Sequence, residues 1–344
     1  MKRIVRTLLH TPKPVLFFFG LLLLEVSCRN SHTGYLEIQG DTMGSSYMIK
    51  YKSGLDLSNE IATLLDDFNH VFSTYDTASI LSKFNNNTLL ESDIQGLSES
   101  QCMWLKQLFK QSFVWYHKTE KAFNPALGPL LSYWGFGDAS GFPEVIDSMW
   151  VDSLRKVSDF GAYGLEGCLP IKGDPRAGLN FNAIAAGMAT DIIGDYLEAQ
   201  DIRDYLINVT GEVKAKGLNP FQKPWKVSIE KPLKSKRLNP DLMHVHLDNQ
   251  ALATSGNYRN YFERDGEEFG HTLSPDTGFP VRNSMLSATV ISRSGAQSDA
   301  LATAFMVMGF EASRSYVEQA PALEAVLVYV EEGAMETWVS WEQP

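Results

Sequence analysis

Apolar and polar residues change their spacing several times along this chain, and each change marks an element. From Tyr35 to Ser53 (YLEIQGDTMGSSYMIKYKS) they alternate on both sides of a glycine-rich break, which predicts strand, turn and strand. From Leu57 the period lengthens, and Leu57, Ile61, Leu64, Leu65, Phe68 and Phe72 share one helical face. Ser100–Lys118 reads as a second amphipathic helix and Glu144–Val157 as a third. Between them Asn124–Asp138 is punctuated by proline and glycine. Ala183–Gln200 is a strong helix with small residues in its first turns. Consecutive strands follow at DYLINVTGEVKAKG and WKVSIEKP, and HVHLDNQALATSGNY reads as one more strand ending in a small-residue turn. HTLSPDTGFP is a turn-rich loop, SMLSATVISRS a strand leading into a helix that Ser298 and Asp299 open within the stretch Gly295–Phe310, and LEAVLVYVEEG and METWVSW the closing strands. No fixed-period repeat and no low-complexity linker divides the chain, and strands and helices mix without strict alternation. The expectation is one α+β domain with a mainly antiparallel sheet and flanking helices.

Composition changes this picture mostly at the N-terminus. Lys2, Arg3 and Arg6 precede an apolar run, Val15–Leu24, that is too short to span a bilayer. Glu25, Val26 and Ser27 then lead to Cys28. This is the layout of a secretory signal at residues 1–27, ahead of a domain over 28–344. The cysteine directly after it resembles a bacterial lipoprotein site, which would place the protein in the cell envelope, anchored in a membrane through lipid on Cys28 and facing the periplasm. Ordinary cleavage nearby, giving a secreted protein, is the alternative. A net charge of −11 argues against nonspecific nucleic-acid binding. Cys102 and Cys168 are too few for a disulfide scaffold; one bridge would be feasible, but Cys102 in QCMWLKQLFKQ reads more simply as core.

The helix GAQSDALATAFMVMGF raises a chemical question. Ser298 and Asp299 suit a helix opening, yet Asp299 and Thr303 also share a face and offer two hard oxygens in one direction. They read either as helix-stabilising groups or as ligands of a cation such as Mg²⁺. Five loops, GDTMGSSY, NPALGPL, NVTGEVKAKG, ATSGNYRNY and SPDTGFP, are rich in Gly, Ser, Thr and Asn. Each alone is an ordinary turn. Together they suggest a site built from loops around an extended ligand. His244 and His246 face one side of a strand, a solvated face more readily than a metal site, and Lys234–Arg237 reads as a solvated basic loop. No P-loop, GxGxxG, GxSxG, cysteine cluster or HExxH is present.

With these motifs in order, the chain resembles the ApbE-type flavin transferases. The likeness runs through GDTMGSSY, STYDTASILSKFN, LGPLLSYWGFG, LNFNAIAAGMATD, INVTGEVKAKG, WKVSIEKP, ATSGNYRNY, HTLSPDTGFP and DALATAFMVMG, covering nearly all of the chain after Cys28. It implies an ApbE-like, T-fold-related fold, FAD as donor substrate, Mg²⁺ as cofactor, AMP as leaving group, and a Thr or Ser hydroxyl of a partner flavoprotein as acceptor. It implies Asp299, Thr303 and the main-chain carbonyl of Ala183 as metal ligands, and His271 as the residue assisting proton removal. Met43, Tyr75, Ala126, Leu127, Gly128, Asn180, Ala186, Thr254, Ser255, Gly256 and Leu273 would line the flavin nucleotide site. Three positions depart from the pattern: Asn180 and Ser274 stand where the family has Asp, and Ala186 where it has Lys. Two other readings stay open beside transfer: hydrolysis of FAD to FMN and AMP, and a catalytically weak flavin-binding lipoprotein.

Overall fold

The computed structural model of the chain describes residues 34–137, 141–233, 240–258, 261–264 and 267–342. The expected leader at 1–27, Cys28 and the Lys234–Arg237 run lie outside the described residues, as do Arg259 and Asn260. In chain order the elements are β1 (Tyr35–Thr42), β2 (Ser45–Lys52), α1 (Ser58–Phe72), α2 (Ile80–Asn85), α3 (Glu91–Gln95), α4 (Glu99–Lys118), α5 (Gly128–Tyr133), α6 (Ser148–Lys156), β3 (Gly164–Glu166), β4 (Leu169–Ile171) and α7 (Ala185–Ala199). Then come β5 (Tyr205–Val209), β6 (Glu212–Lys216), β7 (Trp225–Glu230), β8 (Asp241–Leu247), β9 (Gln250–Gly256), β10 (Tyr261–Arg264), β11 (Glu267–Gly270), β12 (Met285–Ser292), α8 (Gly295–Met308), α9 (Phe310–Glu318), β13 (Glu324–Glu331) and β14 (Ala334–Val339).

Eight strands form one sheet in the order β1-β2-β5-β6-β9-β12-β13-β14, and every neighbouring pair is antiparallel. The expected mixed architecture with a mainly antiparallel sheet is therefore what the chain adopts. Alternation along β6 shows how the sheet is covered. Lys214 faces α7, where it meets Asp191, while Val213 and Ala215 face a second apolar layer. That layer is the β7–β8 hairpin, with Trp225, Ile229, Val245 and Leu247 buried against the sheet. The main core lies on the other face and includes Ile61, Leu65 and Phe68 of α1, Leu105 and Leu108 of α4, and most of α7 and α8.

Several expectations change. HVHLDNQALATSGNY is two strands, because Asn249 takes a positive φ of 52° and turns the chain between β8 and β9. The third helix begins at Ser148, later than Glu144, because Asp147 Oδ1 accepts from the N–H groups of Met149 and Trp150 and so starts it there. The terminal apolar helix stops at Gly309, φ 79°, and α9 follows at once. Cys102 is not a plain core residue: it forms a disulfide with Cys168, Cα–Cα 5.5 Å, joining α4 to the turn before β4. His244 and His246 are exposed, and His244 lies 3.1 Å from Asp241 on the solvated face of β8.

Candidate active site

α8 begins earlier than its sequence suggests. Ser294 is the N-cap and its hydroxyl accepts from Gln297 N–H, so Asp299 sits one turn inside the helix and does not open it. Ser298 turns away from solvent, its hydroxyl bonded to Ser292 and to the Ala251 carbonyl. Asp299 and Thr303, spaced four apart, both line a cavity of about 750 Å³. The Thr303 hydroxyl lies 2.9 Å from that of Ser255 on β9, and the neighbouring Thr254 hydroxyl 2.8 Å from that of Thr289 on β12.

Two glycines bring α7 to this wall. A side chain on Gly187 would run into the carbonyl of Gly295, so the backbones of α7 and α8 touch. The contact aims the Gly187 N–H at Asp299 Oδ2, 3.0 Å away. In an ordinary first turn that N–H would close onto the carbonyl four residues back, which is Ala183. Among the described residues the Ala183 carbonyl therefore has no hydrogen-bond donor, and Ala183 lines the same cavity. Ala183, Asp299 and Thr303 thus line one cavity and bring to it a carbonyl, a carboxylate and a hydroxyl, all hard oxygen donors, a set that fits Mg²⁺ better than a soft metal. No group of three or more His, Cys, Asp or Glu among the described residues forms a metal cluster, so a cation here would rely on the carbonyl and hydroxyl.

Charge points the same way. Burial pushes the Asp299 carboxyl well above the usual carboxylate range, the nearby Glu212 charge adds to this, and the Gly187 N–H opposes it. Burial likewise raises Glu212, while the Thr210 hydroxyl, 2.7 Å from Glu212 Oε2, pulls it down. Both acids line the cavity, and its described lining contains neither Lys nor Arg. Glu212 was not singled out from the sequence. The small-residue loop NVTGEV was the only signal, because alternation shows which face a residue takes and not what that face meets.

His271, Leu273, Tyr75, Leu127, Asn180, Thr254, Ser255 and Gly256 line this cavity with Ala183, Asp299 and Thr303. His271 stands edge-on to Phe136, ring centroids 6.2 Å apart. Tyr75 is an exposed rim residue, whereas Leu273 is buried. Four expected residues sit elsewhere. Met43, φ 51°, is at the tip of the β1–β2 hairpin and borders an open groove at Asp41–Ser46. Ala126 is wholly buried, its N–H held by Asn124. Gly128 lines an adjoining pocket of about 190 Å³ that shares Asn180 with the main cavity. Ala186 is half-buried in the first turn of α7 and is not among the lining residues. The three departures are quiet locally: Asn180 Oδ1 accepts from Asn182 N–H, and the Ser274 hydroxyl caps the turn at Thr277.

A family model described as the ApbE family matches residues 43–327. The chain is 34% identical over 313 residues to the FAD:protein FMN transferase of Vibrio cholerae serotype O1, covering 89% of this chain and 91% of that protein. To the FAD:protein FMN transferase of Escherichia coli K12 it is 28% identical over 339 residues, with 94% and 93% covered. Among solved structures, the flavin transferase ApbE from Vibrio cholerae superposes with a TM-score of 0.77 at 31% identity, covering 89% of this chain and 97% of that one. The apo flavinyl transferase ApbE of Pseudomonas stutzeri superposes with a TM-score of 0.76 at 32% identity, covering 89% and 94%.

Proposed function

The chain belongs to the ApbE family and is a transferase, and from that premise we propose that it moves FMN from FAD onto a hydroxyl of a partner flavoprotein. FAD occupies the cavity, and Asp299, Thr303 and the Ala183 carbonyl are the groups that would hold Mg²⁺ there. When bound, the cation would supply positive charge to offset that of the diphosphate. A Thr or Ser oxygen of the acceptor bonds to the phosphorus of the FMN half. The phosphorus–oxygen bond to the adenylate half breaks, and AMP leaves. His271, on the cavity wall, takes the hydroxyl proton. Leu273, Leu127 and Tyr75 flank the nucleotide, and the Thr254–Gly256 strand end presents small side chains that let it approach the backbone.

The observation that carries this reading is the diverted Gly187 N–H, which bonds Asp299 and leaves without a donor, among the described residues, the carbonyl of Ala183, a residue that lines the same cavity. The departures at Asn180, Ala186 and Ser274 leave those donors in place. Incubation with FAD, Mg²⁺ and a Thr-containing acceptor peptide tests the proposal. A peptide heavier by one FMN unit is the expected result. Free FMN without labelled peptide would mean hydrolysis, and tight FAD binding with neither product would mean a carrier. We propose further that the enzyme works in the cell envelope, held to a membrane by lipid on Cys28, which the basic start and short apolar run of its first residues support.

A further inference from the structure

We propose that Asp191 is a positioning residue that sets the cation-binding groups of α8 against those of α7. The inference rests on the reading above that Asp299 and Thr303 hold the cation. Asp191 ends the motif LNFNAIAAGMATD, is 9% exposed and is not among the residues lining the cavity. Its carboxylate nevertheless accepts four hydrogen bonds. Oδ1 takes the Gly295 N–H at 2.8 Å and Lys214 Nζ at 2.6 Å, and Oδ2 takes the Ser294 hydroxyl at 2.8 Å and the Ala296 N–H at 3.1 Å.

Three of those donors belong to the start of α8, where backbone N–H groups have no helical acceptor. A helix commonly closes that end with its own N-cap. Here Ser294 serves Gln297, and the Gly295 and Ala296 N–H groups are closed by a side chain from a different helix. The outcome is a fixed displacement between the two helices. Asp191 grips the first turn of α8, Gly187 packs against Gly295, and the Gly187 N–H reaches Asp299. These ties lie along one seam and hold Ala183, ahead of α7, at a set spacing from Asp299 and Thr303. Lys214 supplies the opposite charge from β6. Its stem crosses α7 at Gly194, where a Cβ would lie 3.3 Å from Lys214 Cδ and Cε. Outer partners that orient ligand-bearing groups in this way typically change metal affinity 10- to 100-fold when removed.

The test uses Mn²⁺ as probe, with the full chain and electron paramagnetic resonance to count free ion. Asp191→Asn keeps the shape and one acceptor oxygen but loses the charge. Its Mn²⁺ dissociation constant is expected to rise on the order of tenfold. At saturating Mg²⁺ its kcat for transfer should fall while its KM for FAD moves less than about twofold, since the loss is in positioning and not in nucleotide binding. Leu247→Ala, in the apolar layer on the far face of the sheet, controls for stability: its melting temperature drops and its Mn²⁺ affinity holds. Asp299→Asn supplies the reference for a lost ligand. Wild-type affinity in Asp191→Asn, beside a clear loss in Asp299→Asn, overturns the proposal and leaves the cation reading standing. Wild-type affinity in Asp299→Asn overturns both. Should Asp191→Asn fail to fold, Ser294→Ala removes one of the four bonds, and an unchanged Mn²⁺ affinity there likewise overturns the proposal.

Discussion

Asp299 is a buried acid whose setting raises its affinity for a proton, and this gives it a signed effect on stability. Without a cation, burial and the Glu212 charge hold its folded-state proton affinity above that of the unfolded chain. The folded state then binds more protons over the interval between the two values. Stability must fall as pH rises through that interval, from the ordinary carboxylate value of about 4 upward. Each unit of difference is worth about 1.4 kcal/mol. Asp299→Asn keeps an oxygen for the Gly187 N–H and removes the titration. Thermal unfolding in EDTA should therefore show the variant gaining on the unaltered chain as pH rises from about 4 to 8. Mg²⁺ should restore the unaltered chain and leave the variant unmoved, while the variant's transfer rate falls on the order of 100-fold or more. A wild-type curve parallel to that of the variant would contradict this account of the carboxyl. The Asp299–Thr303 pair was legible because helical spacing alone puts both on one face. Glu212 was not, because its importance depends on α8 crossing the end of β6, which no local pattern carries.

Elements show the same division between local and distant causes. Hairpins closed by left-handed residues, such as β1–β2 over Met43 and Gly44, are written in the turn itself. So is α4, where Ser98 and Gln101 cap each other. The split of β8 from β9 and the break between α8 and α9 were missed, since a single Asn or Gly with positive φ leaves the apolar pattern running on either side. The small residues at the start of α7 were visible, but their purpose lies in the packing: they let α7 and α8 meet backbone to backbone. That assigns a cost to Gly187→Ala. The added methyl meets the Gly295 backbone and Asp299 Cβ, neither of which is a flexible chain end. Overpacking of this kind costs about 1–3 kcal/mol, readable as a lower urea midpoint. Because the same seam aims the Gly187 N–H, transfer should fall by more than the change in folded fraction explains. A variant with normal activity per folded molecule would show that the helix contact serves stability alone.

At the scale of the whole molecule, the disulfide bears on where the protein works. Cys102 looked like a core residue because helix periodicity sees only its own helix, and its partner, in the turn before β4, is 66 residues away. Closing a loop of that length removes unfolded-state entropy worth about 4 kcal/mol in the chain-entropy account, and measured bridges typically give about 2–4 kcal/mol. Such bonds form and persist in oxidising compartments and are rare in the cytosol, so the state of the bridge is a test of the proposed export. Neither cysteine lines the cavity, so the bridge should govern stability and not chemistry. The exported chain is expected to show no thiol labelling at Cys102 or Cys168 by mass spectrometry. The same chain lacking its first 27 residues and made in the cytosol should label at both and unfold with a stability lower by about 2–4 kcal/mol. Once oxidised in vitro it should recover that stability, with little change in transfer rate at 25 °C at any stage. Free thiols in the exported chain would break the link between the bridge and the envelope. Equal stability of the two forms would show that the pairing leaves the unfolded state unconstrained, and a large loss of transfer on reduction would place the bridge in the site's own support.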